Sequence, residues 1–108
     1  MLILFLHLNC SCTKPNYIQA LKNADIAFEG IVTKVSDSLV VFKVINPLKQ
    51  ANDSILTIYN DSKCPFNFSE NRTYRVFLKL KDNKLYTDNC MGNSLIEGED
   101  EDYRDYSE

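Results

Sequence analysis

Ile26-Ala27-Phe28-Glu29-Gly30-Ile31-Val32-Thr33-Lys34-Val35 is dense in β-branched and apolar residues, the make-up of a strand. Gly30 in its middle marks a bulge or a sharp bend. Ser36-Asp37-Ser38 reads as a turn, and Leu39-Val40-Val41-Phe42-Lys43-Val44-Ile45 as a second strand closed by Asn46-Pro47. Ile55–Tyr59 is a third, bounded by Asn52-Asp53-Ser54 and Asn60-Asp61-Ser62. Thr73–Leu80 is a fourth; it alternates less cleanly, which predicts burial on both faces over part of its length. Asp82-Asn83 turns tightly into a fifth strand, Lys84–Thr87. Short strands at this spacing predict an all-β domain, a closed or nearly closed five-stranded barrel.

Upstream the period changes. Pro15–Lys22 reads as a short helix with Pro15 at its first position, where the missing N–H costs nothing. Tyr17, Ile18 and Leu21 form an i, i+3, i+4 apolar stripe, and Asn23 ends the helix.

Four cysteines occur, at 10, 12, 64 and 90. The apolar stretch Leu2–Leu8 stops at the first pair, as an export signal does. It lacks a basic leading region, and Asn9 is not the small residue usual before a cleavage site. Export would place the thiols where they oxidise, so two disulfides are expected. Cysteines one residue apart do not readily bond to each other, so Cys10 and Cys12 each reach one of the distant pair. Two pairings satisfy this, and spacing does not choose between them. A zinc site is the weaker reading, because structural zinc favours paired Cys-x₂₋₄-Cys knuckles. The expected layout is a signal over 1–9, one domain over 10–96 and an acidic tail over 97–108.

Charge separates along the chain. Glu97–Glu108 holds seven acids and one base, net −6. The remainder holds eight acids and eleven bases, net +3. Mutual repulsion predicts a solvated tail. A surplus of +3 is too small to argue for nucleic acid. The apolar start is shorter than the ~20 residues a membrane span needs.

Chemistry-bearing residues are sparse. The only histidine, His7, lies within the expected signal, so the mature chain would lack the usual general base and the commonest metal ligand. No phosphate loop or nucleotide fingerprint occurs. The expectation is a non-enzymatic protein with no cofactor and no metal of its own. Asn9, Asn52, Asn60, Asn67 and Asn71 head Asn-x-Ser/Thr triplets, to which an Asn-rich chain gives little weight. Phe66 and Phe68 are candidate contacts for a partner, with core packing the favoured reading; Tyr103 and Tyr106 in the tail are further candidates, with plain solvation the favoured reading.

Cys10-Ser11-Cys12, Pro15, Gln19-Ala20-Leu21 and Asn23-Ala24-Asp25-Ile26-Ala27-Phe28-Glu29-Gly30-Ile31-Val32 together resemble the start of the tissue inhibitors of metalloproteinases. They also resemble the wider netrin-like modules, small bacterial members included. Phe42-Lys43-Val44, Pro47-Leu48-Lys49, Cys64 with Phe66-Asn67-Phe68, Tyr74–Leu78 and Leu85–Cys90 follow in the family's order. The likeness spans Cys10 to Cys90.

That resemblance implies an OB-type barrel and a pairing of Cys10 with Cys64 and Cys12 with Cys90. It also implies a site at the amino terminus. In the inhibitors, the amine and carbonyl of the first cysteine chelate the protease zinc, and the next side chain enters the specificity pocket. Here those roles would fall to Cys10 and Ser11, with Cys12 completing the contact. The implied partner is a protein, a zinc metalloproteinase in the sharpest reading. The sequence departs from the animal inhibitors at Lys22, where they have a further cysteine, and the acidic run stands where their second domain would follow. A lipid on Cys10, as in a bacterial lipoprotein, would remove the chelating amine and provide the one expected membrane link. The resulting expectation is an exported or envelope-attached binding domain, with protease inhibition as its alternative.

Overall fold

A computed structural model describes residues 10–96. The expected signal and acidic tail, including Tyr103 and Tyr106, lie outside the described residues. The elements are α1 (Tyr17–Asn23), β1 (Ile26–Ser36), β2 (Leu39–Lys49), β3 (Ile55–Tyr59), β4 (Thr73–Lys81), β5 (Lys84–Tyr86) and β6 (Ser94–Leu95).

The strands are hydrogen-bonded in the order β1-β2-β3-β5-β4, and a further β1–β4 ladder closes the ring. This is the five-stranded barrel that the strand pattern predicts. β3 and β5 form its one parallel contact, at Tyr59 and Tyr86. β1, β3 and β5 therefore run the same way, and their carboxyl ends share one rim of the barrel.

Alternation sorts the side chains. Phe28, Val32, Val40, Phe42, Ile58, Val76 and Leu78 fill the interior and are essentially inaccessible. Fully burying each such side chain contributes roughly 1.5–3 kcal/mol. Phe42 is T-packed on Phe28 and Phe68, with centroids 5.2 Å away in each case. Consecutive Val76, Phe77 and Leu78 are all buried, the two-sided burial expected of the fourth strand. Phe77 points outward, but onto α1, in a second small core with Ala20, Ala24 and Ala27.

The bulge at Gly30 is present as a register shift between Glu29 and Gly30 against β2. A Cβ there would lie 2.7 Å from the Lys43 carbonyl oxygen and 2.9 Å from the Phe28 ring. Asp82 and Asn83 have φ of 52° and 64°, the left-handed pair of a two-residue hairpin.

Five details differ from the sequence expectation. First, the helix begins at Tyr17. Asn16 caps it, its side-chain oxygen accepting from the Gln19 amide at 2.8 Å, and Pro15 lies ahead of the cap. Second, the Tyr17/Ile18/Leu21 stripe is buried only in part: Leu21 is half-buried against the second small core. Ile18 is 67% exposed and Tyr17 41%, while Ala20 and Ala24 are buried. Ala20 lies directly over Gly92, where a Cβ would come within 2.9 Å of its methyl, while the Tyr17 ring meets Phe77 edge-on from the side.

Third, β2 does not stop at Asn46-Pro47. It continues to Lys49 because β3 pairs with it only over Leu39–Lys43. Beyond that point one edge has no neighbouring strand, so a missing proline N–H costs nothing. Fourth, β6 is an extra two-residue strand against Tyr74 and Arg75 of β4. Fifth, β5 ends one residue early because Thr87 turns inward.

Candidate functional site

Because β3 and β5 are parallel, the chain leaves both at the same rim, and the segments carrying Cys64 and Cys90 emerge side by side. The Asn89 amide donates to the Cys64 carbonyl at 2.7 Å, joining them. Each segment is also fixed from within. The Asn60 side chain pairs with both backbone groups of Phe66, donating at 2.7 Å and accepting at 2.9 Å. Phe66 packs against the core, and Phe68 is buried among Phe42, Tyr74 and Phe66. These two rings therefore pack in the core, the reading favoured for them from the sequence over a partner contact.

The second segment is anchored by a buried polar network. The Phe77 amide donates to Asn93 Oδ1 at 2.7 Å. Asn93 Nδ2 donates to Thr87 Oγ1 at 2.7 Å, and that hydroxyl donates to the Phe77 carbonyl at 2.8 Å. Asn93 and Thr87 are both buried and every member is satisfied, the condition under which such a network rigidifies a core.

Onto this platform the amino-terminal segment is stapled. Cys10 bonds to Cys64 and Cys12 to Cys90, with Cα separations of 5.4 and 5.9 Å. All four cysteines are consumed, so none is a zinc ligand or a free nucleophile. The pairing is the one the family resemblance implies. Ser11, between the staples, is exposed, as are Cys12, Thr13 and Lys14; Cys10 is half-buried. Ser11, Cys12 and Thr13 line an open, mostly polar depression. Among the described residues, none hydrogen-bonds to Ser11, Thr13, Lys14 or Pro15. The site is thus an exposed stretch of main chain that makes no hydrogen bond to the other described residues.

The helix that follows is fixed at both ends. Gly92, at φ 101°, lets the chain pass close to Pro15 and Ala20. At the other end, Lys49 Nζ donates to the carbonyls of Ala24 at 2.6 Å, Leu21 at 2.8 Å and Lys22 at 3.4 Å. Lys79 Nζ donates to the Asn23 carbonyl at 2.8 Å. Two cations on orphan carbonyls complement the negative end of the helix dipole. Beside this clamp, Ile18, Leu21 and Leu48 form a shallow apolar cleft.

The structure brings together Cys10, Ser11, Cys12, Cys64 and Cys90, the residues named from the sequence. Sequence reading missed the supports: Asn60, Thr87, Asn93, Lys49 and Lys79. Only Asn60 carried a signal, as the head of a turn triplet, and its amide is spoken for by Phe66. Asn52, Asn67 and Asn71 are exposed. Neither the protein-family profiles nor the curated proteins contain a match to this chain.

Proposed function

We propose that this chain is an exported, non-catalytic binding domain of netrin-like type that presents the Cys10–Thr13 ridge to a protein partner. One observation carries this reading: an exposed main-chain segment, free of hydrogen bonds to the rest of the described chain, is bolted by two disulfides to a rigid barrel rim. Fixing a binding segment before the encounter reduces the entropy lost on association.

The bridge pattern favours one partner class, a zinc metalloproteinase. Once residues 1–9 are removed, the Cys10 amine and carbonyl would form a five-membered chelate around the protease zinc, with Ser11 directed into the adjoining pocket. The inhibitor reading requires a free amine on Cys10. The broader binding reading does not, and a lipid on Cys10 would anchor the same domain to an envelope membrane.

Mass spectrometry of the native amino terminus, followed by assay against a panel of zinc proteases, tests both. Inhibition by the form starting at Cys10, lost when one alanine is placed ahead of it, supports the protease reading. Undiminished inhibition by the extended form rejects it. A native chain that keeps residues 1–9 and stays in the cytoplasm rejects export.

A further inference from the structure

We propose that Cys12–Cys90 is a thiol-sensitive latch: a dithiol reductant opens it first and frees the ridge, while the barrel stays closed. As a regulation of the ridge, this rests on the binding role proposed above; its sulfur chemistry does not.

The argument begins with what holds each side of the bond. On the ridge side, Ser11, Thr13, Lys14 and Pro15 make no hydrogen bond to the described chain, and Cys12 is held by its bond to Cys90. Pro15 lies beside Gly92, where an added Cβ would come within 3.4 Å of it, and the next firm hold is the Asn16 cap. Between Cys10 and Pro15, therefore, the two disulfides supply the attachment.

The receiving side is different. Cys90 donates its amide to Asp88 Oδ1 at 2.9 Å, and Asn93 holds the Asp88 carbonyl and Thr87. The Cys64 amide donates to Ser62 Oγ at 3.0 Å, and its carbonyl accepts from Asn89. None of these bonds needs a disulfide. Opening Cys12–Cys90 thus frees the stretch between Cys10 and Pro15 while Cys10 stays tied to Cys64 and Cys90 stays in place, so closure is templated and reversible.

Access sets the order. Cys12 is exposed, whereas Cys10, Cys64 and Cys90 are half-buried; exposed disulfides are the labile ones. A thiolate of the reductant attacks Cys12 Sγ, and the Cys90 sulfur leaves with the electron pair and takes a proton. The reductant's second thiol, as thiolate, then displaces Cys12, which is released and protonated in turn. Two electrons and two protons reach the protein, and the reductant ends as its own disulfide.

The test uses the folded, oxidised full chain. Dithiothreitol is added stepwise, free thiols are trapped with iodoacetamide and mapped by mass spectrometry, and amide NMR follows the backbone. The expected result is labelling of Cys12 and Cys90 in molecules whose Cys10–Cys64 bond is still intact. Barrel signals stay dispersed while those of Ser11–Lys14 move to random-coil positions, and removing the reductant restores them. The Cys12→Ser/Cys90→Ser double variant should show the same freed ridge without reductant. Simultaneous labelling of all four cysteines with loss of barrel signals overturns the latch. So does a double variant that is unfolded or whose ridge signals stay native. Protease assays play no part in these readouts, so failure of the inhibitor reading is seen separately.

Discussion

Tyr59 and Tyr86 make the single residue pair by which β3 and β5 close the barrel, and their rings lie 5.3 Å apart at 30°. The Lys84 ammonium sits 5.3 Å from the centre of the Tyr59 ring, and the Thr87 amide donates to the Tyr59 carbonyl at 3.0 Å. A parallel contact one residue long has little ladder of its own, so side chains supply much of the closure. The same seam sets the rim from which Cys64 and Cys90 depart. Tyr86→Ala should lower stability by about 1–2 kcal/mol, since the pair is half-buried and aromatic contacts add to area burial. Urea denaturation followed by circular dichroism measures it; an unchanged midpoint would show that the seam does not depend on the rings.

Asn93→Ala removes the centre of a buried network. The Phe77 amide and the Thr87 hydroxyl each lose a partner, and a buried unsatisfied group costs about 1–3 kcal/mol. The expected loss is about 2–4 kcal/mol in total. Asn52→Ala, on an exposed loop, is the control and should stay within about 0.5 kcal/mol. The comparison by chemical denaturation is decisive, because equal effects would mean that the buried bonds are replaceable by water.

Lys49→Met keeps the length of the side chain and removes the charge that gathers three helix carbonyls. Charge at a helix terminus contributes about 0.3–2 kcal/mol depending on burial; here the side chain is half-buried, and a loss of about 1–2 kcal/mol is expected. Part of the wild-type advantage should fade in high salt. A thermal melt at low and high ionic strength reads both effects, and a variant as stable as wild type in each would remove the clamp from the account.

How far the molecule could be read from its sequence follows from the range of the forces involved. Most strand starts came through because period-2 burial and the Asp82-Asn83 turn are local signals; β3 is placed to the residue. Gly30 announced its bulge for the same reason, although the atom that forbids a side chain there, the Lys43 carbonyl oxygen, is thirteen positions away. The face of α1 was legible only in part: Leu21 packs on the second core as its hydrophobicity suggests, but Ile18 is exposed, and the fully buried positions are Ala20 and Ala24. Pro47 was read as a stop because its tolerance depends on where β3 ends. Thr87, Asn93, Lys49 and Lys79 gave no signal, since a polar residue becomes a bracket only when the fold brings backbone groups to it. The cysteine pairing followed from family likeness and not from spacing.

Ser11 separates binding from folding. Its side chain is exposed, hydrogen-bonds to no described residue and lies between two cross-links that fix its backbone. Ser11→Glu should therefore leave the unfolding midpoint within about 0.5 kcal/mol of wild type. If the ridge is the contact surface, the same change places a charge and extra bulk at its centre, and desolvating an unpaired charge in an interface costs several kcal/mol, or at least about a hundredfold in affinity. The matched control is Lys34→Glu, an exposed change on β1, which should leave partner binding alone. Against a zinc protease inhibited by the form starting at Cys10, the measurement is the inhibition constant of each variant beside its denaturation midpoint. A Ser11→Glu protein that is fully stable and still inhibits at wild-type strength would move the contact surface away from the ridge.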